Sequence, residues 1–170
     1  MKAKPLPPLE ELKEFLDYNP DTGIFTWIKK PRQGIRVGQV AGTMSSKGYI
    51  VIRFKRSKYL AHRLAYYMYH GVDPLEKLVD HEYGDGSNNK IKNLRLATNP
   101  QNQMNRVNLP SNNTSGVIGV HWEKARKKWR ATIMLNGKRK NLGYFINKED
   151  AIKARKEGAI KYFGDFRSKD

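Results

Sequence analysis

The chain of 170 residues contains no cysteine, and it carries only 16 acidic residues against 33 lysines and arginines. The absence of cysteine excludes disulfide bonds and zinc sites built on thiolates. No hydrophobic run is long enough to span a membrane, and no signal peptide is visible. The sequence therefore predicts a cytoplasmic protein that has no membrane partner.

The shortage of acidic residues leaves a formal net charge of +17. A charge of this size favours polyanionic partners, and nucleic acid is the usual one. Residues 1–110 contain 18 basic and 10 acidic residues, whereas residues 111–170 contain 15 and 6. Both parts of the chain are therefore candidates for contact with DNA.

A polar stretch in the middle of the chain is its most informative part. An apolar pair leads directly into Asp80 and His81, and a loop rich in glycine, asparagine and aspartate follows. Residues 93–98 then alternate as a short strand, after which a capping residue and a proline favour a helix start. The pattern predicts strand, long loop, strand and helix, with Asn102 carried back towards Asp80 and His81.

The residue types in this stretch suit the hydrolysis of a phosphodiester. Asp80 and Asn102 offer hard oxygen ligands for a magnesium-like ion. His81 is better used as a general base for water, because its unperturbed pKa is near neutrality. A metal ion would stabilise the charge that develops on the leaving oxygen. The alternative interpretation is a polar hairpin loop with a buried histidine, and the joint spacing of these residues argues against it.

The same residues resemble the HNH nucleases, in the ββα-metal form of phage and intron homing endonucleases. Asp80-His81 match the end of the first strand, Asn93 the residue before the second strand, and Asn102 the helix position. The resemblance implies that His81 is the general base and that Asp80 and Asn102 hold one divalent ion, Mg²⁺ or Mn²⁺. It also implies that Asn93 braces the loop and orients His81 by hydrogen bonding. Tyr83 stands where this family usually has Asp or Asn.

The residues before this stretch predict small helices and strands. Apolar periodicity predicts a helix over residues 9–18, and β-branched and aromatic residues predict a strand over 24–28. A β-hairpin is expected over 48–61, with a basic turn at 55–58. This turn suits either contact with a phosphate backbone or simple solvation. A helix is expected over 62–71, with a buried stripe made of Leu64, Ala65, Met68 and Tyr69.

The helix predicted over 62–71 begins with the residues His-Arg-Leu-Ala. Homing endonucleases of the HNH type similarly place such a helix before the Asp-His strand. This resemblance implies that Arg63 contacts the scissile phosphate. His62 and His70 are interpreted as structural histidines.

The sequence changes character after residue 106. Residues 107–115 are rich in asparagine, serine and proline, which indicates a linker, and we place a domain boundary between residues 110 and 111. Three strands are expected over 117–122, 129–135 and 138–145, followed by a helix over 148–163. The dipeptide Asn136-Gly137 between the last two strands is a strong hairpin signal.

This C-terminal part resembles the APETALA-type (ethylene-response-factor) DNA-binding domain. The matching residues are Ser115-Gly116, Gly119-Val120, Lys128-Trp129-Arg130-Ala131, Leu142-Gly143-Tyr144-Phe145, Ala151, Ala154 and Ala159. The resemblance implies a sheet that lies in the major groove of DNA. Alternation along the strands and the resemblance together nominate four outward-facing contacts, His121, Arg130, Thr132 and Arg139. Arg126 and Lys128 are expected near the DNA backbone.

The sequence thus predicts an α+β protein with two domains. Residues 1–110 form an HNH nuclease domain, in which a β-hairpin platform supports the ββα-metal motif. Residues 111–170 form a small three-stranded antiparallel sheet plus one helix. The expected function is metal-dependent cleavage of double-stranded DNA, as in a free-standing phage homing endonuclease acting in the host cytoplasm. We expect a monomer that nicks DNA, although a dimer that breaks both strands is an alternative.

Two other functions remain open at this point. The first is a DNA-binding regulator that keeps the nuclease scaffold without catalysis, against which the intact set of Asp80, His81 and Asn102 argues. The second is a nuclease directed to branched DNA or to RNA, which no sequence feature favours.

Overall fold

A computed structural model describes residues 5–75, 77–104, 109, 111 and 113–166. The chain divides into two compact units, Met1–Thr98 and Asn99–Asp170. Both units combine short antiparallel sheets with few helices, so the architecture is α+β. Residue 110 lies outside the described residues, and the domain boundary placed there stays a prediction.

The first unit consists, over its described residues, of two helices and three small antiparallel sheets. Strands β1 and β2 form one hairpin, β4 lies between β3 and β5, and β6 pairs with β7. The elements in chain order are α1 (Leu9–Phe15), β1 (Leu16–Asn19), β2 (Ile24–Trp27), β3 (Thr43–Met44), β4 (Ile50–Phe54), β5 (Ser57–Leu60), α2 (Ala61–His70), β6 (Leu78–His81) and β7 (Leu94–Ala97).

One apolar core holds these small sheets together. Its aromatic part contains Phe25, Trp27 and Phe54, with Phe15 packed edge-on against Phe54 at a centroid distance of 5.4 Å. The aliphatic part includes Leu12, Leu16, Ile52, Leu64, Val79 and Leu94. Val79 and Leu94 come from β6 and β7, so the strands that carry the candidate site are anchored in this core.

The helix predicted over residues 9–18 is shorter in the structure. It ends at Phe15, and Leu16–Asn19 continues as β1, in which Leu16 lies opposite Trp27. The Asn19 carboxamide accepts the N–H groups of Asp21 and Thr22 and so shapes the turn that follows. Strand pairing with β2 thus overrides the local helical pattern, as tertiary context often does.

The β4–β5 hairpin and α2 follow the prediction with two differences. The turn is confined to Lys55 and Arg56, both left-handed with φ of 44° and 63°, which matches a tight two-residue hairpin. Gly71, with φ of 71°, ends α2 as expected. Tyr69 is 54% exposed rather than buried, whereas His62 is only 5% exposed.

The second unit contains a three-stranded sheet with β9 in the centre and one long helix. Ser115 lies before β8, and its hydroxyl is 2.6 Å from the Val120 carbonyl oxygen, which fixes the entry to the sheet. The elements are α3 (Asn99–Met104), β8 (Val120–Glu123), β9 (Lys128–Leu135), β10 (Lys138–Phe145) and α4 (Lys148–Phe163).

Helix α4 packs on one face of this sheet. Val120, Ala131 and Ala151 form the buried centre, and Leu142 packs against it. A Cβ atom at Gly158 would lie 2.7 Å from Leu142 Cδ1, so glycine allows the close approach of helix and strand. Among the described residues, no helix of either unit has the length and apolar character needed to cross a membrane.

Candidate active site

The β6–β7 ladder positions the Asp80-His81 pair. Asp80 lies opposite Arg95 and His81 opposite Leu94. Asp80 is 7% exposed, and its Oδ2 lies 3.1 Å from both Nε and Nη2 of Arg95. The guanidinium supplies an opposite charge to the buried carboxylate and fixes its orientation.

Asn93 ties the long loop to the start of β7. Its Oδ1 accepts the N–H of Tyr83 at 3.1 Å, and its Nδ2 donates to the Asn88 carbonyl at 2.8 Å. Only 2% of Asn93 is exposed, so these bonds are protected from water. Because Tyr83 contributes its backbone to this bond, the loop geometry does not require Asp or Asn at that position.

Among the described residues, the side chain of Asn89 forms a hydrogen bond with His81. Its Oδ1 lies 3.2 Å from His81 Nε2, while its Nδ2 donates to the Ser87 carbonyl at 3.3 Å. The bond to Ser87 sets the direction of the amide, so Nε2 of His81 carries the proton and Nδ1 is the basic nitrogen. The described hydrogen bonds of Asn93 go to Tyr83 and Asn88, and the expectation that Asn93 orients His81 stays a prediction. Asn88, Asn89 and Asn93 are chemically alike, and nothing in the sequence distinguishes their roles.

The N-terminal hairpin, formed by β1 and β2, makes hydrogen bonds to the loop that contains Asn89. The Tyr18 hydroxyl donates to the Asn89 carbonyl at 2.7 Å, and the Ile91 N–H donates to the Pro20 carbonyl at 3.0 Å. Burial raises the pKa of Tyr18, so the phenol stays protonated as a donor. A Cβ atom at Gly23 would lie 2.5 Å from the backbone of Asn89. Strands β1 and β2 therefore act as a platform for the loop.

His62 and Tyr49 form an aromatic wall beside His81. The His62 ring lies edge-on at a centroid distance of 4.8 Å from His81, and Tyr49 lies 5.5 Å from His62 and 6.0 Å from His81. Burial, together with the nearby His81 and Arg63, lowers the pKa of His62 to about 3. Nδ1 of His62 is buried and makes no hydrogen bond to any described residue. His62 thus borders the candidate base, and its structural role stays a prediction.

Burial also lowers the pKa of His81. The hydrogen bond to Asn89 and the carboxylates of Asp80 and Asp85 oppose this effect and only reduce it. The imidazole is consequently neutral at neutral pH. This is the protonation state that a general base requires.

Arg63 has a different partner from the one implied by the resemblance. Its Nη1 and Nη2 donate to the carbonyls of Lys77 and Leu75, each at 3.0 Å, and Nη2 lies 3.7 Å from Asp73. The side chain is 11% exposed. Arg63 therefore holds the segment that leads into β6, and a phosphate contact by this residue stays a prediction.

The comparisons with known proteins bear on this part of the chain. Residues 59–104 match the family model described as HNH endonuclease. The matched range runs from the end of β5 to the end of α3 and contains Asp80, His81, Asn93 and Asn102.

A phage protein is also similar to the chain. Protein 3.8 of Escherichia phage T7 is 39% identical over 71 residues, which are 42% of this chain and 58% of that protein. The chain thus spans little more than half the length of this relative. No solved structure matches the chain.

The metal ligands implied by the resemblance are Asp80 and Asn102. Asn102 lies on α3 and is exposed. Among the described residues, no group of three or more His, Cys, Asp or Glu side chains could hold a metal ion. A carboxylate and an amide oxygen are nevertheless the donors that a hard divalent ion prefers. The chemistry of Asp80, held in place by Arg95, fits such an ion.

The second unit carries cations beside an aromatic ring on its sheet. His121, Arg130 and Tyr144 lie side by side across the three strands. The guanidinium of Arg130 lies 5.4 Å from the Tyr144 ring and that of Arg126 lies 4.8 Å from it. Arg130 Nε also donates to Asn141 Oδ1 at 3.1 Å. Both guanidinium groups are thus held on one face by an aromatic contact.

The remaining nominated residues differ in accessibility. Lys128 and Arg139 are exposed, and His121 is half-buried. Thr132 is only 5% exposed, and both its N–H and its hydroxyl donate to the Gly119 carbonyl, at 2.7 and 3.3 Å. The expectation that Thr132 lies on an open sheet face is therefore wrong.

Proposed function

We propose that the chain is a metal-dependent endonuclease that hydrolyses phosphodiester bonds in double-stranded DNA. The observation that supports this most directly is the environment of His81. It is buried, its pKa is lowered, and its Nε2 is bound to Asn89 beside the paired carboxylate of Asp80. These residues lie inside the range that matches the HNH endonuclease model.

The chain's own residues supply the base and its alignment. Neutral His81 accepts a proton at Nδ1 from the water that attacks phosphorus, while Asn89 keeps the ring from rotating. Asp80 and Asn102 would hold one divalent ion, Mg²⁺ or Mn²⁺. When bound, this ion supplies positive charge that stabilises the departing 3′ oxygen. Cleavage in this way leaves 5′-phosphate and 3′-hydroxyl ends.

The proposal includes DNA contacts from both units. In the second unit, an APETALA-type role is supported by the three-stranded sheet, by α4, and by the outward cations Arg126, Lys128, Arg130 and Arg139 with His121 beside them. Thr132 is omitted because it is buried. In the first unit, two clefts near the β4–β5 hairpin are lined by Arg32, Arg53, Arg56 and Lys58 among others, and none of their described lining residues is acidic. Such cations suit a phosphate backbone.

The relative in phage T7 supports a phage setting. We place the protein in the host cytoplasm as a free-standing endonuclease of the homing type. One active site per chain makes a nick the natural product of a monomer. A dimer would break both strands.

The test is cleavage of supercoiled plasmid and of phage genomic DNA by the full chain. Reactions contain Mg²⁺, Mn²⁺ or EDTA, and ligation with and without prior phosphatase treatment identifies the ends. We expect nicked or linear DNA with either metal, none with EDTA, and 5′-phosphate ends.

A second function, that of a non-catalytic DNA-binding regulator, rests on the high positive charge alone. Tight duplex binding without cleavage, in every metal and on both DNA substrates, would favour it. Faster cleavage of branched DNA or RNA than of duplex DNA would instead assign a structure-directed or RNA-directed nuclease.

A further inference from the structure

The second unit contains a cleft of about 770 Å³, which is lined by residues of that unit. This volume lies within the range of about 300–1,000 Å³ that is typical of small-molecule sites. The wall is mainly apolar, and its described lining residues include two cations, Arg139 and Arg155, and no acidic side chain. The apolar part of the lining includes Met104, Ile118, Met134 and Phe163.

Arg155 is the unusual member of this lining. It lies on α4, and its guanidinium lies 5.4 Å from the Phe163 ring. Its Nε is buried, and this nitrogen makes no hydrogen bond to any residue in the described part of the chain. The side chain is half-buried, and this burial lowers the pKa of Arg155. A half-buried cation with no described acidic side chain beside it is not neutralised locally, so a ligand that supplies negative charge fits this position.

The absence of a side chain at Gly119 leaves room for the side chain of Arg155. A Cβ atom at Gly119 would lie 2.8 Å from Arg155 Nε and 2.3 Å from the Thr132 carbonyl oxygen. Gly119 also has a φ of 81°, a conformation that favours glycine. Thr132 is bonded to the Gly119 carbonyl, so this side of the cleft is held by β9. Arg155 therefore has a defined position rather than a loose surface one.

We propose that this cleft binds a nucleotide. The phosphate is placed against Arg139 and Arg155, because guanidinium groups bind phosphate oxygens in a planar, two-pronged way. The base is placed against the apolar part of the lining, which includes Ile118 and the exposed side chain of Met134. This inference is independent of the proposed cleavage reaction, since it concerns binding by the second unit and is measured without catalysis.

A nucleotide reaches such a cleft either as a free molecule or as part of a DNA strand. We would titrate the full chain with thymidine 5′-monophosphate, thymidine and inorganic phosphate, in EDTA to prevent cleavage, and record binding by calorimetry. A duplex with one unpaired 3′-terminal thymidine and the same duplex with blunt ends form the second arm. Preference for the monophosphate assigns a free nucleotide, and preference for the unpaired end over the blunt end assigns a strand terminus.

Two variants of α4 provide the matched comparison. Arg155→Met removes the charge from the cleft, whereas Lys156→Met removes one charge from the next, exposed position. We expect Arg155→Met to weaken binding of the preferred nucleotide probe by about tenfold or more, because bonds to charged groups carry that much affinity. Lys156→Met should bind like the original chain. The melting temperature of Arg155→Met should not fall, because the variant removes the buried Nε that makes no hydrogen bond to a described residue.

Three results would overturn the inference. The first is a folded Arg155→Met variant that binds the nucleotide probe as tightly as the original chain. The second is inorganic phosphate binding as tightly as the nucleotide, since the apolar wall would then contribute nothing. The third is no binding of any phosphate-bearing probe at millimolar concentration.

Discussion

Oδ1 of Asn89 lies 3.2 Å from Nε2 of His81, and the same asparagine accepts a hydrogen bond from Tyr18 through its carbonyl oxygen. The candidate base is thereby joined to a residue of the N-terminal hairpin 63 positions earlier in the chain. This chain of contacts explains why a buried imidazole keeps one orientation. We therefore expect Asn89 to be a positioning residue that acts through His81.

The first prediction concerns Asn89→Ala. Loss of the Oδ1 contact frees the imidazole to rotate, and we expect the single-turnover cleavage rate to fall by roughly 10²-fold, because small misplacements of a catalytic group have effects of this size. DNA affinity should stay within about twofold. Asn88→Ala, in the same loop, is the control and should retain most of the rate. Equal rates for Asn89→Ala and the original chain would show that this hydrogen bond does not align the base.

The second prediction concerns pH. Protonated His81 cannot accept a proton, and burial lowers its pKa below the ordinary value of 6.5. The rate constant kcat/KM should therefore rise with pH in the acidic range and level off before pH reaches about 6.5. Cleavage at fixed metal concentration, with circular dichroism at each pH to confirm folding, gives the profile. A rate that decreases steadily between pH 6 and 7.5 would not be compatible with this role.

The third prediction concerns His62→Phe. In the folded chain the pKa of His62 is about 3, against about 6.5 when unfolded, so the unfolded state takes up the proton first as pH falls. The contribution of His62 to the free energy of unfolding is at its maximum above pH 6.5. It decreases as pH falls from 6.5 towards 3, and it is about 2 kcal/mol lower at pH 5.

Phenylalanine at position 62 cannot be protonated and removes the unbonded Nδ1. We expect the free energy of unfolding of the variant to exceed that of the original chain by roughly 1–3 kcal/mol at pH 7 and by more at pH 5. Denaturant titration at both pH values measures this difference. Cleavage should remain within a few-fold because a ring still packs against His81. His62→Ala is the comparison, and it should lose both stability and rate. A His62→Phe variant with the same acid sensitivity as the original chain would refute the assignment.

The fourth prediction concerns metal binding. Mn²⁺ or Mg²⁺ should raise the melting temperature of the original chain, because a ligand at 100 times its Kd adds about 2.7 kcal/mol to the folded state. Asp80→Asn should abolish this rise, whereas Asp17→Asn, on an exposed position of β1, should not. The same metal-induced rise in Asp80→Asn would place the ion elsewhere.

Local sequence signals predicted the second unit well. The strand over residues 138–145 and the helix over 148–163 have the predicted bounds, because Asn136-Gly137 and the following alanine pattern are short-range signals. The end of α2 at Gly71 is predicted by a short-range signal of the same kind, a glycine that follows the helix. Thr132 shows the limit of such signals. Alternation along β9 separates two faces, but it does not show whether a face is covered.

The first unit depends more on contacts that are distant in sequence. Residues 16–18 have a helical pattern, yet Leu16 pairs with Trp27 in a hairpin. Asp80 and His81 were recognisable because their type and spacing are specific. Asn89 was not, because its role depends on the position of Tyr18 and on the direction of its own amide. Sequence therefore nominates candidate reacting residues more readily than the residues that hold them.

The central claim is that His81 is the general base of a DNA-cleaving site, and one comparison tests it most directly. Single-turnover cleavage and duplex affinity are measured side by side for the original chain and His81→Ala, with Mg²⁺ present for cleavage and EDTA for binding. We predict that the variant binds DNA with nearly the same Kd and that its cleavage rate falls by about 10²- to 10⁴-fold, the usual contribution of a positioned base. Cleavage by His81→Ala at the rate of the original chain would contradict the claim.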